Sequence, residues 1–148
     1  MIKLTTKGHY SVKALLDLSL QPDFGPSSSK AIAQRQSLPA PYLEKLLIEM
    51  RKAGLVKSVR GLQGGYKLAY SPEKISLGQI LSSVGETKLP LPNLQSDGEQ
   101  IEDWVTLTLW KHLHEKIIQA LESLTLADLY YDARSAQAAQ IEPVNFVV

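Results

Sequence analysis

Apolar residues recur at helical spacing in the opening segment, where Val12, Leu15, Leu16, Leu18 and Leu20 with Tyr10 are dense enough to face a core. Thr5 or Thr6 can cap this first helix. Gln21-Pro22-Asp23-Phe24-Gly25-Pro26 ends it, because two prolines and a glycine cannot continue a helix. A short second helix is expected over Lys30-Ala31-Ile32-Ala33-Gln34-Arg35-Gln36, capped by Ser28 or Ser29. After a turn at Ser37-Leu38-Pro39 a third helix begins near Pro41, a residue that loses no hydrogen bond at a first helical position. From Tyr42 to Ala53, Leu43, Leu46, Leu47 and Met50 share one face, while Glu44, Lys45, Glu49 and Lys52 lie largely outside it. Gly54 is the expected C-terminal stop. A short helix, a tight turn and an amphipathic helix make a helix-turn-helix, an arrangement that helical hairpins in ordinary bundles also show.

The following pattern changes period. Leu55-Val56-Lys57-Ser58-Val59 is short and β-branched, and Tyr66-Lys67-Leu68-Ala69-Tyr70 alternates, with Tyr66, Leu68 and Tyr70 on one side. The glycine-rich Arg60-Gly61-Leu62-Gln63-Gly64-Gly65 between them suits a hairpin with positive φ angles. A hairpin directly after a helix-turn-helix is the wing of a winged helix, with Arg60 and Lys67 at its base or tip. Ser76-Leu77-Gly78-Gln79 opens another helix with a capping-box spacing, extending to about Val84. Residues 86–102 form a polar connection with Pro90, Pro92 and Gly98 and no clear period.

The longest helical pattern runs from Glu102 or Asp103 to about Ser123. Leu107, Trp110, Leu113 (or His114), Ile117, Leu121 and Leu124 recur at spacings of three and four, close to a heptad seam, and predict a homodimer. The alternative is a stripe that packs only on its own chain. A last, short helix starts at Thr125-Leu126-Ala127-Asp128, with Thr125 as cap, and an apolar tail follows. The expected fold class is mainly α with a small β-hairpin wing. Its expected divisions are a winged helix-turn-helix domain (1–85), a loop (86–102), a dimerisation helix and following short helix (103–135) and a tail (136–148).

Composition narrows the chemistry. With 148 residues the chain can bury a core without staples, and no apolar run approaches the roughly 20 residues of a membrane span. Met1-Ile2-Lys3-Leu4-Thr5 lacks the apolar region of a secretory signal, so the expected location is the cytoplasm, with no membrane partner. Cysteine is absent, which excludes disulfides, thiol catalysis and thiolate-bound metal. Residues 1–85 carry 12 Lys+Arg against 5 Asp+Glu, a balance of +7; residues 86–148 carry 4 against 10, a balance of −6. A basic half joined to an acidic half suggests that the first meets a polyanion, although two solvated surfaces can differ so by chance.

For double-stranded DNA the residue types fit. An α-helix enters the major groove. The start of the third helix would bring Pro39, Ala40 and Pro41 as small or stiff apolar contacts, with Tyr42, Glu44 and Lys45. Glu44 can accept from cytosine N4, and Lys45 can donate to guanine or phosphate. Both also suit a solvated helix face, and Tyr42 also suits packing on a neighbouring helix. Arg60, followed by Gly61 and Gln63, can enter a minor groove narrowed by A·T pairs. Gly64 and Gly65, with Tyr66 beyond them, let the backbone approach phosphate. Lys3, Lys7 and Lys30 would add contacts that carry no sequence information.

Leu4-Thr5-Thr6-Lys7-Gly8-His9-Tyr10, Tyr42-Leu43-Glu44-Lys45-Leu46, Leu55-Val56-Lys57-Ser58-Val59-Arg60-Gly61 with Gly64-Gly65-Tyr66, Leu109-Trp110 and Leu124-Thr125-Leu126-Ala127-Asp128-Leu129 stand in the order and spacing of one family. Across nearly its whole length the chain resembles the IscR/NsrR/CymR-type regulators. The resemblance implies a winged helix, a long helix crossing to a partner subunit and a palindromic promoter site. It places DNA contacts at Tyr42, Glu44, Lys45 and Arg60. Gln63 departs from it, standing where the family commonly has glycine.

The resemblance also implies an iron–sulfur cluster in many members, held by three cysteines before the long helix and a non-cysteine ligand. In one branch that ligand is a histidine three residues before the helix tryptophan, a position held here by Leu107. Residues 86–103 contain neither cysteine nor histidine, so no conventionally ligated cluster is expected, and no cofactor or metal is assigned. His112 and His114 project about 200° apart on a helix and cannot chelate one ion from one chain. The expectation is therefore a repressor or activator whose input is a small molecule, a partner protein or its own concentration. The alternative is a winged helix that serves only as a protein-interaction module. No nucleophile–base pair or phosphate loop stands out to suggest an enzyme.

Overall fold

The computed structural model describes residues 5–86 and 100–141. Lys3, most of the expected 86–102 loop and residues 142–148 of the expected tail lie outside the described residues. Helix α1 (Thr6–Ser19) is capped by Thr5, whose Oγ1 accepts from the Gly8 N–H at 3.1 Å. A 3-10 turn (Pro22–Phe24) leads to α2 (Ser29–Gln36), where Ser28 Oγ accepts from the Ala31 N–H at 3.0 Å. Ser37 then takes a left-handed conformation (φ +55°), and Leu38 turns inward and is buried. This tight turn aims α3 (Ala40–Lys52) across α2. Gly54, at φ +84°, ends the run, as a residue without a Cβ can do cheaply.

Strands β1 (Val56–Val59) and β2 (Gly65–Leu68) pair antiparallel, Val56 opposite Leu68 and Val59 opposite Gly65. The alternation of β2 buries Tyr66 and Leu68, but Tyr70 lies beyond the strand and is 55% exposed, contrary to the expected pattern. Pairing ends at Leu68 because Ser71 and Pro72 turn the chain into a second 3-10 turn (Pro72–Lys74). The capping box is present in α4 (Leu77–Ser83): the Gln79 N–H donates to Ser76 Oγ, and the Ser76 N–H donates to Gln79 Oε1.

Leu15, Leu18, Ile32, Leu43, Leu46, Leu47, Met50, Val56, Ile75 and Ile80 form one core, so the stripe expected on the third helix is the stripe that is buried. Beside it sits a polar anchor. Asp17, only 3% exposed, accepts from Arg35 Nε (3.0 Å), Arg35 Nη2 (2.7 Å) and Gln36 Nε2 (2.6 Å), which ties α2 to α1. The guanidinium hydrogen bond to Asp17 holds Arg35 protonated above its ordinary range.

Helix α5 (Ile101–Ser123) spans about 34 Å at 1.5 Å per residue, and none of its residues is buried. Its expected seam divides. Leu107, Trp110, Ile117 and Leu121 are half-buried, and Leu121 lies against Gly78 of α4; Leu113 and Leu124 are exposed. Ile101 (73%), Trp104 (67%), Val105 and Leu109 add exposed apolar surface that the heptad reading does not include.

The chain returns through Leu124 and Thr125, where the Leu77 N–H donates to the Leu124 carbonyl and the Leu126 N–H to the Ile75 carbonyl, each at 2.8 Å. Leu126 is fully buried in the core built by the first 85 residues, so the last helix starts inside the winged-helix unit. Helix α6 (Leu126–Ile141) runs six residues past the expected boundary at 135, through Ala136, Ala138 and Ala139, which favour helix. No described helix is long and apolar enough to cross a membrane.

Candidate nucleic-acid interface

A side-chain hydrogen bond joins the start of α3 to the hairpin. Tyr66 Oη on β2 donates to Glu44 Oε1 on α3 at 2.9 Å. The Tyr66 ring is buried, and burial first, then the hydrogen bond to Glu44, raises its hydroxyl above the usual tyrosine range. The phenol therefore stays a donor, and it fixes the first turns of the helix relative to the wing. Among the described residues no hydrogen bond occupies the other carboxylate oxygen of Glu44. Tyr42 stacks edge-on with Tyr10 at 5.9 Å, so its ring seats the helix start on α1.

Around this joint the expected residues divide by exposure. Pro39, Pro41 and Lys45 are exposed along the first turns of α3, with Ala40 half-buried among them. Arg60, Gly61 and Gln63 are exposed in the wing loop, as is Lys30 at the start of α2. Lys7 lies 3.4 Å from Glu49 Oε2, in a surface ion pair of the kind that contributes about 1 kcal/mol or less. It is therefore available to exchange that partner for a phosphate.

The wing glycines have an internal cause. A Cβ on Gly64 would fall 2.1 Å from the Val59 carbonyl, and one on Gly65 would fall 2.2 Å from the Ser27 carbonyl. Gly65 is excluded from carrying a side chain because Ser27 pairs with the outer edge of β2: its N–H donates to the Tyr66 carbonyl at 2.9 Å, and the Tyr66 N–H donates back at 2.8 Å. The loop between α1 and α2 thus braces the wing root. Of the two, only Gly65 has a positive φ (+153°).

Three wing features escaped the sequence reading. Leu62 is fully exposed at the tip. Lys57 and Lys67 are directly opposite in the strand register, a like-charge pair that is destabilising unless a polyanion lies over it. Arg51 Nη1 donates to Ser58 Oγ at 3.2 Å and links the end of α3 to β1. The lysine pair was hidden because the register depends on where the strands end; Leu62 could have been noted as an apolar residue in a glycine-rich tip.

Comparison with known proteins agrees with this architecture. Residues 4–132 match the Rrf2 family, described as iron-dependent transcriptional regulators. A Synechocystis protein named as a putative HTH-type transcriptional regulator is 63% identical over 147 residues, covering 99% of this chain and all of the relative. The transcriptional regulator IscR of Aliivibrio salmonicida is 37% identical over 145 residues, covering 97% and 86%. Among solved structures, CymR, the global cysteine regulator of B. subtilis, superposes with a TM-score of 0.78 at 36% identity, covering 88% of this chain and 98% of that one. IscR of T. potens superposes with 0.74 at 44% identity, covering 92% and 91%. The chain belongs to the Rrf2 family of winged-helix transcriptional regulators, DNA-binding proteins and not enzymes.

Proposed function

We propose that this protein acts in the cytoplasm as a homodimer that reads a palindromic promoter site, with the start of α3 in the major groove and the wing on the neighbouring minor groove. The observation that carries the reading is the Tyr66–Glu44 hydrogen bond, which makes the helix start and the hairpin one surface. Lys45 and Arg60 stand exposed on its two parts. Pro39, Ala40, Pro41, Tyr42 and Glu44 contribute the helix contacts. Gly61, Leu62 and Gln63 make the tip, and Gly64, Gly65 and Tyr66 hold its root. Lys7, Lys30, Lys57 and Lys67 supply phosphate contacts that strengthen binding to any sequence.

The dimer rests on α5. Ile101, Trp104, Val105, Leu109, Leu113 and Leu124 leave large apolar side chains of α5 and its end in water, and covering the part of each that is exposed would gain about 1–2 kcal/mol. Two-fold pairing along α5 sets two reading surfaces for half-sites about one helical turn of DNA apart.

The iron dependence in the family description does not fit the donor set. Cluster irons are held chiefly by thiolates, and the chain has no cysteine. Among the described residues no three His, Asp or Glu side chains converge. We therefore infer that regulation uses another input.

An electrophoretic shift assay on the upstream region of its own coding sequence tests the reading, with sedimentation of the free protein. We expect a discrete shift competed by the palindrome and not by scrambled DNA, and a dimer at micromolar concentration. Equal competition by random DNA at every salt concentration, or a monomer, would contradict it.

A further inference from the structure

We propose that a cavity at the root of the winged helix binds a small organic cation, an ammonium or guanidinium group on an apolar body, and that its occupancy alters DNA affinity. The cavity, about 510 Å³, opens between the end of α3, α4 and the second half of α5. Ligand sites are commonly about 300–1,000 Å³. Leu55, Leu81, Ile118 and Leu121 form an apolar wall.

The polar lining selects the charge. Glu86 and Glu122 bring two carboxylates, and among the described residues no Lys, Arg or His lines the space. Neither carboxylate has an ion-pair partner among the described residues. Gln79 Oε1 is already occupied by the Ser76 N–H, and the Ser82 hydroxyl can turn to suit a guest. Among the described residues no cationic side chain lines the space to offset two like charges, which disfavours an anion, whereas an organic cation can pair with a carboxylate and bury its carbon against the leucines. A bare divalent ion fits poorly, since such ions take six or more oxygens and no third carboxylate or imidazole converges among the described residues.

Its position links the guest to both halves of the molecule. Ala53 caps α3 and Leu55 leads into β1, and both line the cavity. On the far wall α5 crosses α4 so closely that a Cβ on Gly78 would lie 3.2 Å from the Leu121 carbonyl oxygen. A guest therefore touches the end of the recognition helix, the root of the wing and the long helix together. Any difference in its affinity between free and DNA-bound protein must appear reciprocally as a change in DNA affinity. This regulatory part rests on the DNA-reading function proposed above; the binding part does not.

Calorimetry on the intact protein without DNA separates the two. The probes are agmatine and 2-phenylethylamine, with phenylacetate as the matched anion. We expect at least one cation to bind with a Kd below about 1 mM, one per chain, and E86Q/E122Q to weaken it at least about tenfold. Ser82→Trp, which fills the cavity from an exposed position, should abolish binding with the circular-dichroism melting temperature retained. Equal binding of phenylacetate, unchanged affinity in E86Q/E122Q, or no heat with either cation would overturn the site, the last also being the result if a segment of this chain or of a second copy occupies it. In the shift assay the bound cation should change DNA affinity by about threefold or more; binding with no such change would overturn the regulatory part alone.

Discussion

Tyr66 Oη donates to the Glu44 carboxylate at 2.9 Å, joining the second strand of the wing to the second turn of α3. Glu44 is only half-buried and can regain water when the phenol is lost, so Tyr66→Phe should cost only about 1 kcal/mol of stability. Its effect on specific DNA affinity should be larger than that figure implies, because the wing loses its fixed angle to the helix. Chemical denaturation and titration with promoter DNA measure the two separately.

The same pair gives an alkaline signature. Burial and the Glu44 contact raise the folded-state value of Tyr66 above its unfolded value of about 10. Its contribution to stability is therefore complete below about pH 10 and is lost as pH rises through the folded value. The stability difference between wild type and Tyr66→Phe should shrink or reverse in denaturation curves taken above that pH.

Asp17→Ala should destabilise the helix-turn-helix by about 2 kcal/mol; breaking a buried pair costs about 3–5 kcal/mol, and the Arg35 side chain, 38% exposed, can recover water. Asp17→Asn keeps acceptor oxygen and should lose less. Thermal melts of the two variants rank them.

Gly65→Ala forces a Cβ against the Ser27 carbonyl, so it must break the bridge that braces the wing root. A loss of about 2–3 kcal/mol is expected, with faster exchange of the Tyr66 amide in hydrogen-exchange measurements. Ser37→Gly should act in the opposite sense. Its residue sits at φ +55°, ψ +47° in the turn between α2 and α3, and relieving that conformation should gain up to about 1 kcal/mol.

Local chemistry was legible in the chain. Thr5, Ser28, Gly54 and the Ser76–Gln79 capping box lie where their side chains and torsions require, and Leu43, Leu46, Leu47 and Met50 could be read as a buried stripe from spacing alone. The contacts that local sequence does not mark are long-range. Asp17 gathers Arg35 and Gln36 from a different helix, and no periodicity marks a lone buried carboxylate. Ser27 pairs with Tyr66 across a distance no local motif spans. On α5 the apolar residues wrap around the helix, so a heptad count selects one stripe where the fold leaves a second one exposed. Tyr70 departs from the expected face because alternation continues in the sequence after the strand has ended.

In the proposed function the α3 start and the wing form one DNA-reading surface. Fluorescence anisotropy with the palindromic promoter fragment, comparing wild type with Arg60→Ala and Lys45→Ala over a range of salt, tests it most directly. Each variant should keep the wild-type melting temperature, since both side chains are exposed, yet lose about tenfold or more in affinity for the palindrome. Full wild-type affinity in both variants, or a wild type that binds the palindrome no tighter than scrambled DNA, would contradict it.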